Sequence, residues 1–158
     1  MKIFIVFGHH NSKTSFNASI RDTFITEALK NNHEIDLVNL FEETNQLPFY
    51  NSDLNPPPQL VIDYRKRLES TDIMFLIGSC HNLRLNAILE NWIDWVLHPK
   101  WFFSYRSMFP KSKFFKNYGY TVPGAMKGKI GIISITYGGP MISYFNFSFE
   151  IVHFFLIK

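Results

Sequence analysis

Cysteine is nearly absent: Cys80 is the only one, so neither an intrachain disulfide nor a cysteine-based zinc site can form. This fits a reducing compartment, with the cytoplasm as the expected location. Residues 1–8 read as a core strand where an export signal would place a charged region, an apolar stretch and a cleavage site. No secretory leader is expected. An unbroken apolar run of membrane-spanning length is also missing, because the nearest, Met141 to Lys158, is interrupted by Asn146, Glu150 and His153. It reads as a buried helix, with a membrane-surface helix as the other reading. Dense basic tracts are lacking too: Lys and Arg are scattered, apart from Lys111, Lys113 and Lys116, then Lys127 and Lys129. At a net charge of +3, no nucleic-acid partner and no membrane association are expected.

Apolar residues are plentiful, at 46% with 17% aromatic, and 158 residues suffice for one packed core. A single domain over 1–158 follows. The 17 phenylalanines point to aromatic packing or to surface for a flat ligand.

Ile3 to Phe7 reads as a buried strand, and Phe16 to Asn31 as a helix with Phe16, Ile20, Phe24, Ile25 and Leu29 on its buried stripe. Glu34 to Leu40 alternates as an edge strand would. Pro56-Pro57-Pro58 starts a helix reaching Ser70, with Val61, Tyr64 and Leu68 inward. Asp72 to Gly78 is a continuous apolar run, the pattern of a central parallel strand, and Leu85 to Leu97 repeats at helical spacing. An irregular stretch from His98 to Lys127 precedes a fourth strand, Lys129 to Thr136. Strands alternating with helices demand right-handed crossovers and a parallel sheet covered on both faces. The fold class is therefore open α/β. Ligands of such sheets bind beyond the carboxyl ends of the strands, where loops 8–17, 78–84 and 136–144 would meet if the strand order is 2-1-3-4.

The first of these loops, Gly8-His9-His10-Asn11-Ser12-Lys13-Thr14-Ser15-Phe16-Asn17, carries the strongest chemical signal. A strand running into a helix capped by Thr14 or Ser15 aims free N–H groups and hydroxyls at one spot, which suits a phosphate. Asn17 and a donor from His9 or His10 can reach the same ligand. The same residues also make a well-capped helix with no ligand. The segment lacks the lysine-and-glycine pattern of a nucleotide triphosphatase and the later glycines of a dinucleotide fingerprint. Cys80 and His81 do not read as nucleophile and base, since neighbours in an extended segment point to opposite sides and no orienting carboxylate stands near.

The ordered set Gly8-His9 with Ser15-Phe16-Asn17, Leu85 to Val96, Trp101-Phe102-Phe103-Ser104-Tyr105, Met126-Lys127-Gly128-Lys129 and Thr136-Tyr137-Gly138-Gly139 spans nearly the whole chain. In that set the chain resembles the flavodoxin-like NAD(P)H:quinone oxidoreductases, the group of the mammalian quinone reductases and the bacterial modulator of drug activity B. The resemblance implies a flavodoxin-like open parallel sheet, bound FAD or FMN, and hydride transfer from NADH or NADPH to a small-molecule quinone-type substrate, in a homodimer. It places flavin contacts at His9, Thr14, Ser15, Phe16 and Asn17, at Ser79, Cys80, His81, Asn82 and Leu83, and at Thr136, Tyr137, Gly138 and Gly139. Tyr144 falls where family members carry an active-site tyrosine. Two departures accompany it. Residues 79–84 lack the aromatic pair and glycine that usually hold the flavin ring, and the family's usual fifth strand has no counterpart before Lys158. A flavin-binding regulatory or degenerate member with little catalysis is the alternative. Arg84 reads either as a charge near the reduced flavin or as a solvated helix-start charge.

Overall fold

A computed structural model describes residues 1–44, 46–82 and 84–138. In chain order its elements are β1 (Lys2–Gly8), α1 (Phe16–Lys30), β2 (Glu34–Asn39), α2 (Gln59–Glu69), β3 (Ile73–His81), β4 (Arg84–Leu85), α3 (Ala87–Val96), β5 (Phe103–Ser107), β6 (Gly119–Pro123) and β7 (Ile130–Thr136). The parallel sheet runs β2-β1-β3-β7, which is the 2-1-3-4 order expected from the sequence. Its register sets Gly8 beside Gly78 and Ser79 beside Thr136, so these four residues share the carboxyl edge.

Helices cover both faces of the sheet at β1 and β3, and the alternation along β1 divides the core in two. Phe4 and Val6 pack with Val61, Tyr64, Leu68, Leu89, Trp92 and Val96 under α2 and α3. Ile3, Ile5 and Phe7 pack with Phe75, Ile77, Ala18 and Ala28 under α1. Period-two side chains with burial on both sides explain why β1 and β3 read as unbroken apolar runs.

Three expectations need correction. On α1, Phe16 is 73% exposed and Leu29 55% exposed, while Asn17, Ala18 and Ala28 are buried. Two small alanines let the helix lie close to the sheet, while Ile20, Phe24 and Ile25 do pack against this core, Phe24 with its ring centroid 4.6 Å from that of Phe75. The third strand does not end at Gly78: it continues through His81 and folds back on β4, pairing Cys80 with Leu85 and His81 with Arg84 around a turn in which Asn82 has φ 52°. The stretch 98–127 is not wholly irregular, for β5 and β6 form an antiparallel hairpin within it. The helix expected over Met141 to Lys158 lies outside the described residues.

On the α2 face, Arg67 donates to Asp36 at 2.5 and 3.0 Å and stacks 4.8 Å from the Phe4 ring centroid. That hydrogen bond raises the Arg67 pKa further, burial opposing it. Burial also pushes the neighbouring Tyr64 phenol up to about 12, with the Glu43 charge adding to the rise and Arg67 opposing it. Above the ordinary tyrosine value the unfolded chain loses this proton while the folded chain keeps it. Stability should therefore fall as pH rises through that window, by about 1.4 kcal/mol per pH unit. Thermal melts across the alkaline range should show a decline that Tyr64→Phe flattens.

Candidate functional site at the carboxyl edge of the sheet

The site begins where β1 releases the chain. Asn11 organises the loop with its side chain: Oδ1 accepts from the N–H groups of Lys13 and Thr14 at 3.2 and 3.0 Å, and Nδ2 donates to the Thr14 hydroxyl at 2.8 Å. This turn occupies Thr14, so Ser15 becomes the helix cap. Its Oγ accepts from Ala18 N–H at 3.1 Å and donates to the Asn11 carbonyl at 2.6 Å. The backbone N–H groups of Ser15, Phe16 and Asn17 have no partner among the described residues. They lie at the positive end of α1, and no Asp or Glu stands between Gly8 and Asn17.

Asn17 is the centre of the arrangement. It is 2% exposed, and Nδ2 donates to the Thr136 hydroxyl at 2.7 Å, which ties α1 to the end of β7. Its Oδ1 is buried with no partner among the described residues. Because the threonine hydroxyl donates as well as accepts, the amide fits equally with its oxygen on Thr136 and its NH2 free. Either way half of a buried amide awaits a partner at the head of α1, and in the second orientation that half is an anion donor.

Around this pair the loop is braced from three sides. Arg21, one turn beyond Asn17, donates to the Ser12 carbonyl at 2.8 Å with its guanidinium 4.6 Å from the Phe7 ring centroid. The Ser12 hydroxyl donates to Glu42 in the segment after β2. His9 accepts from Asn11 N–H at 3.1 Å through Nδ1, and its ring stacks on His10 at 4.5 Å.

On the β3 side, Asn86 is 5% exposed and caps α3, accepting from Leu89 N–H at 3.2 Å. Its Nδ2 donates to the Gly8 carbonyl and lies 3.4 Å from Ser79 Oγ. One side chain thus joins the ends of β1 and β3 to the start of α3. The approach is close: a Cβ at Gly78 would stand 2.8 Å from Leu89 Cδ2, and one at Gly8 would stand 3.1 Å from Leu89 Cβ. Ser79 Oγ lies 3.1 Å from His81 Nε2, and Cys80 is half-buried on the other side of the strand.

Of the residues expected at the site, His9, Thr14, Ser15, Asn17, Ser79 and Thr136 gather at this edge. Phe16 offers its backbone while its ring faces outward. Cys80, His81 and Asn82 belong to the β3–β4 hairpin, a paired ribbon and not an open loop. Tyr137 and Gly138 follow β7 and are exposed, whereas Leu83, Gly139 and Tyr144 lie outside the described residues. Arg84 pairs with Glu90 at 3.1 Å and is 75% exposed, in keeping with a solvated helix-start charge. The sequence reading missed Asn86 and Arg21. An Asn directly before an apolar helical stretch is a capping signal that could have flagged the first. Among the described residues no cluster of His, Cys, Asp and Glu could hold a metal, and no helix is long and apolar enough to cross a membrane.

A separate groove of about 440 Å³ opens between α2, the end of α3 and the segment 50–57, and includes none of residues 8–17. Beneath it Arg65 donates to the carbonyls of Trp95 and Val96 at 2.7 and 3.1 Å, closing the end of α3, and burial lowers its pKa.

Three solved structures place this geometry among known proteins. An NAD(P)H:quinone oxidoreductase from Methanothermobacter marburgensis superposes with a TM-score of 0.69 at 15% identity, over 93% of this chain and 70% of that one. Smu.1420 from Streptococcus mutans also gives 0.69, at 26% identity over 94% of this chain and 73% of its own. An FMN-dependent NADH-azoreductase from Bacillus anthracis, in complex with FMN, gives 0.61 at 15% identity, over 89% of this chain and 70% of that one. No curated protein matches the sequence. The family model for the flavodoxin-like fold matches residues 1–156 and the sheet order agrees with it, so the chain belongs to the flavodoxin-like fold family.

Proposed function

We propose that this protein is a flavin-dependent NAD(P)H oxidoreductase that passes two electrons, as hydride, to a quinone or similar small-molecule acceptor. The observation that carries the reading is the buried Asn17 amide, one half of which has no partner among the described residues, beside N–H groups at the head of α1 that have none there either. With the amide turned so that the Thr136 hydroxyl donates to its oxygen, its NH2 joins those N–H groups as a donor set that fits the phosphate of FAD or FMN. The residues present therefore suit the group.

When bound, a flavin supplies hydride chemistry that no side chain can perform. The chain's own part is binding and orientation. Ser15, Phe16 and Asn17 would hold the phosphate through backbone N–H groups, with Asn17 adding a side-chain donor. Thr136 keeps that amide turned toward the ligand. Ser79, through Asn86, fixes the distance between the β1 and β3 ends on which the ring would rest. Tyr144 is proposed, on the sequence resemblance alone, as the residue that hydrogen-bonds charge developing on ring or acceptor.

A homodimer is part of the proposal. An apolar cleft of about 340 Å³ at the base of the β5–β6 hairpin, lined by Phe102, Phe103, Val122, Pro123 and Met126 among others, offers surface for a partner subunit. The second reading, a flavin-binding regulatory or degenerate member with little catalysis, is favoured by the β3–β4 hairpin that replaces an open ring-holding loop.

A visible spectrum of the purified protein, with FAD or FMN added and then NADPH or NADH titrated in the presence of a quinone, separates the readings. Flavin uptake with rapid quinone-dependent oxidation supports the enzyme and excludes the degenerate reading. A colourless protein that takes up neither flavin overturns both.

A further inference from the structure

The tip of the β5–β6 hairpin belongs to no part of the site above. It is built as an ordered double turn: Ser112 N–H donates to Phe109, Tyr118 N–H to Phe115, and Met108 N–H to the Tyr118 carbonyl, at 2.9 to 3.0 Å. In the loop Phe114 is 89% exposed, and Met108, where the loop leaves β5, is 62% exposed. Lys111, Lys113 and Lys116 flank them, and none has an ion pair among the described residues. The charge around them is of one sign: from Trp95 to Phe149 the sequence holds seven lysines and arginines and no Asp or Glu.

We infer that this tip docks the protein on an anionic lipid surface, the three lysines meeting headgroup phosphates and Phe114 with Met108 entering the interface below them. Exposed apolar side chains bracketed by unpaired cations are what such a surface recognises. A single-stranded nucleic acid would need open ring faces for stacking. Here Phe109 with Phe115, and Phe115 with Tyr118, meet tilted or edge-on at 6.1 and 5.6 Å, so these half-exposed rings form no parallel row on which successive bases could stack, and Met108 carries no ring at all. A symmetric contact between two tips would set like charges together. The docking runs against the sequence-based expectation of no membrane association, which rested on scattered charge and did not include the exposure of Phe114 at the tip. It does not rest on the electron-transfer reading, and its test reads lipid alone.

The test is cosedimentation of the full chain with vesicles of equal parts phosphatidylglycerol and phosphatidylcholine, and with phosphatidylcholine alone. Binding to the first, weakened by salt and slight on the second, supports docking. The triple variant K111Q/K113Q/K116Q should lose on the order of a hundredfold in affinity for the anionic vesicles. Phe114→Ser should lose roughly tenfold, from the apolar area it no longer buries. Both should keep the wild-type circular dichroism and melting temperature. Failure of the wild type to bind anionic vesicles, or equal binding to neutral ones, overturns the inference. So does tighter binding to a single-stranded oligonucleotide, or an oligomer that the triple variant dissolves.

Discussion

Asn17→Leu is expected to weaken flavin binding by roughly ten- to a hundredfold, while the melting temperature of the flavin-free protein stays nearly unchanged. The two effects separate because the buried amide does two different things. In the free protein one half of it is bonded to Thr136 at 2.7 Å and the other half has no partner among the described residues. Leucine is close to asparagine in size. It removes an unsatisfied buried polar group and leaves behind a threonine hydroxyl that is only half-buried and can turn to water. With flavin present, the variant lacks the amide NH2 that would meet a charged phosphate, and hydrogen bonds to charged groups are the strong ones. Fluorescence titration of flavin into wild type and variant reads the affinity, and calorimetry without flavin reads the stability. A variant that binds flavin as the wild type does would remove phosphate binding from this corner of the fold. Ser15→Ala gives a smaller, opposite partition: loss of the cap should cost about 1 kcal/mol of stability, with flavin binding weakened only as the loop loosens.

The parts of this architecture that could be read from the sequence are those set by local rules. Ile3 to Phe7 and Ile73 to Gly78 are apolar on both sides because each is buried on both faces, and that alone marks central parallel strands. Val61, Tyr64 and Leu68 face inward as their spacing requires. The hydroxyls and amides of loop 8–17, on which the proposed phosphate site rests, were likewise visible in the sequence. Long-range choices were hidden. Thr14 and Ser15 are equal as caps in sequence, and only the turn made by Asn11, which engages Thr14, leaves Ser15 to cap the helix. Asn17 meets Thr136 across 119 residues, and Asn86 meets Gly8 across 78, distances over which no periodicity speaks. The β3–β4 hairpin escaped notice because its turn depends on Asn82 entering the left-handed region, which asparagine does without any mark in the pattern around it. Phe16 misled for the opposite reason: helical spacing placed it on a buried stripe, yet the first turn of α1 is turned so that Asn17 points into the fold.

Asn86→Ala is expected to be the most damaging single truncation at the site, destabilising the protein by roughly 2–4 kcal/mol. About 1 kcal/mol comes from the lost cap on Leu89 N–H. The remainder comes from the Gly8 carbonyl, which sits at a buried strand end and would lose its side-chain donor. In a chain of this length the melting temperature should fall by about 5–15 °C, readable by calorimetry. Asn86→Asp separates the two contributions. The carboxylate still caps the helix and is favoured by its dipole, but it can only accept, so it would face the Gly8 carbonyl without a proton to offer. A double-mutant cycle with Asn17→Leu tests whether the two ends of the site act together. Asn86 sets the spacing of β1 and β3, while Asn17 joins α1 to β7, and they touch different strands. Their effects on stability should add within about half a kcal/mol. If one flavin spans both ends, each single variant should weaken its binding and the double variant should be weaker than either. Loss of flavin affinity in only one of the two single variants would separate the ends, and the single-ligand geometry would be wrong.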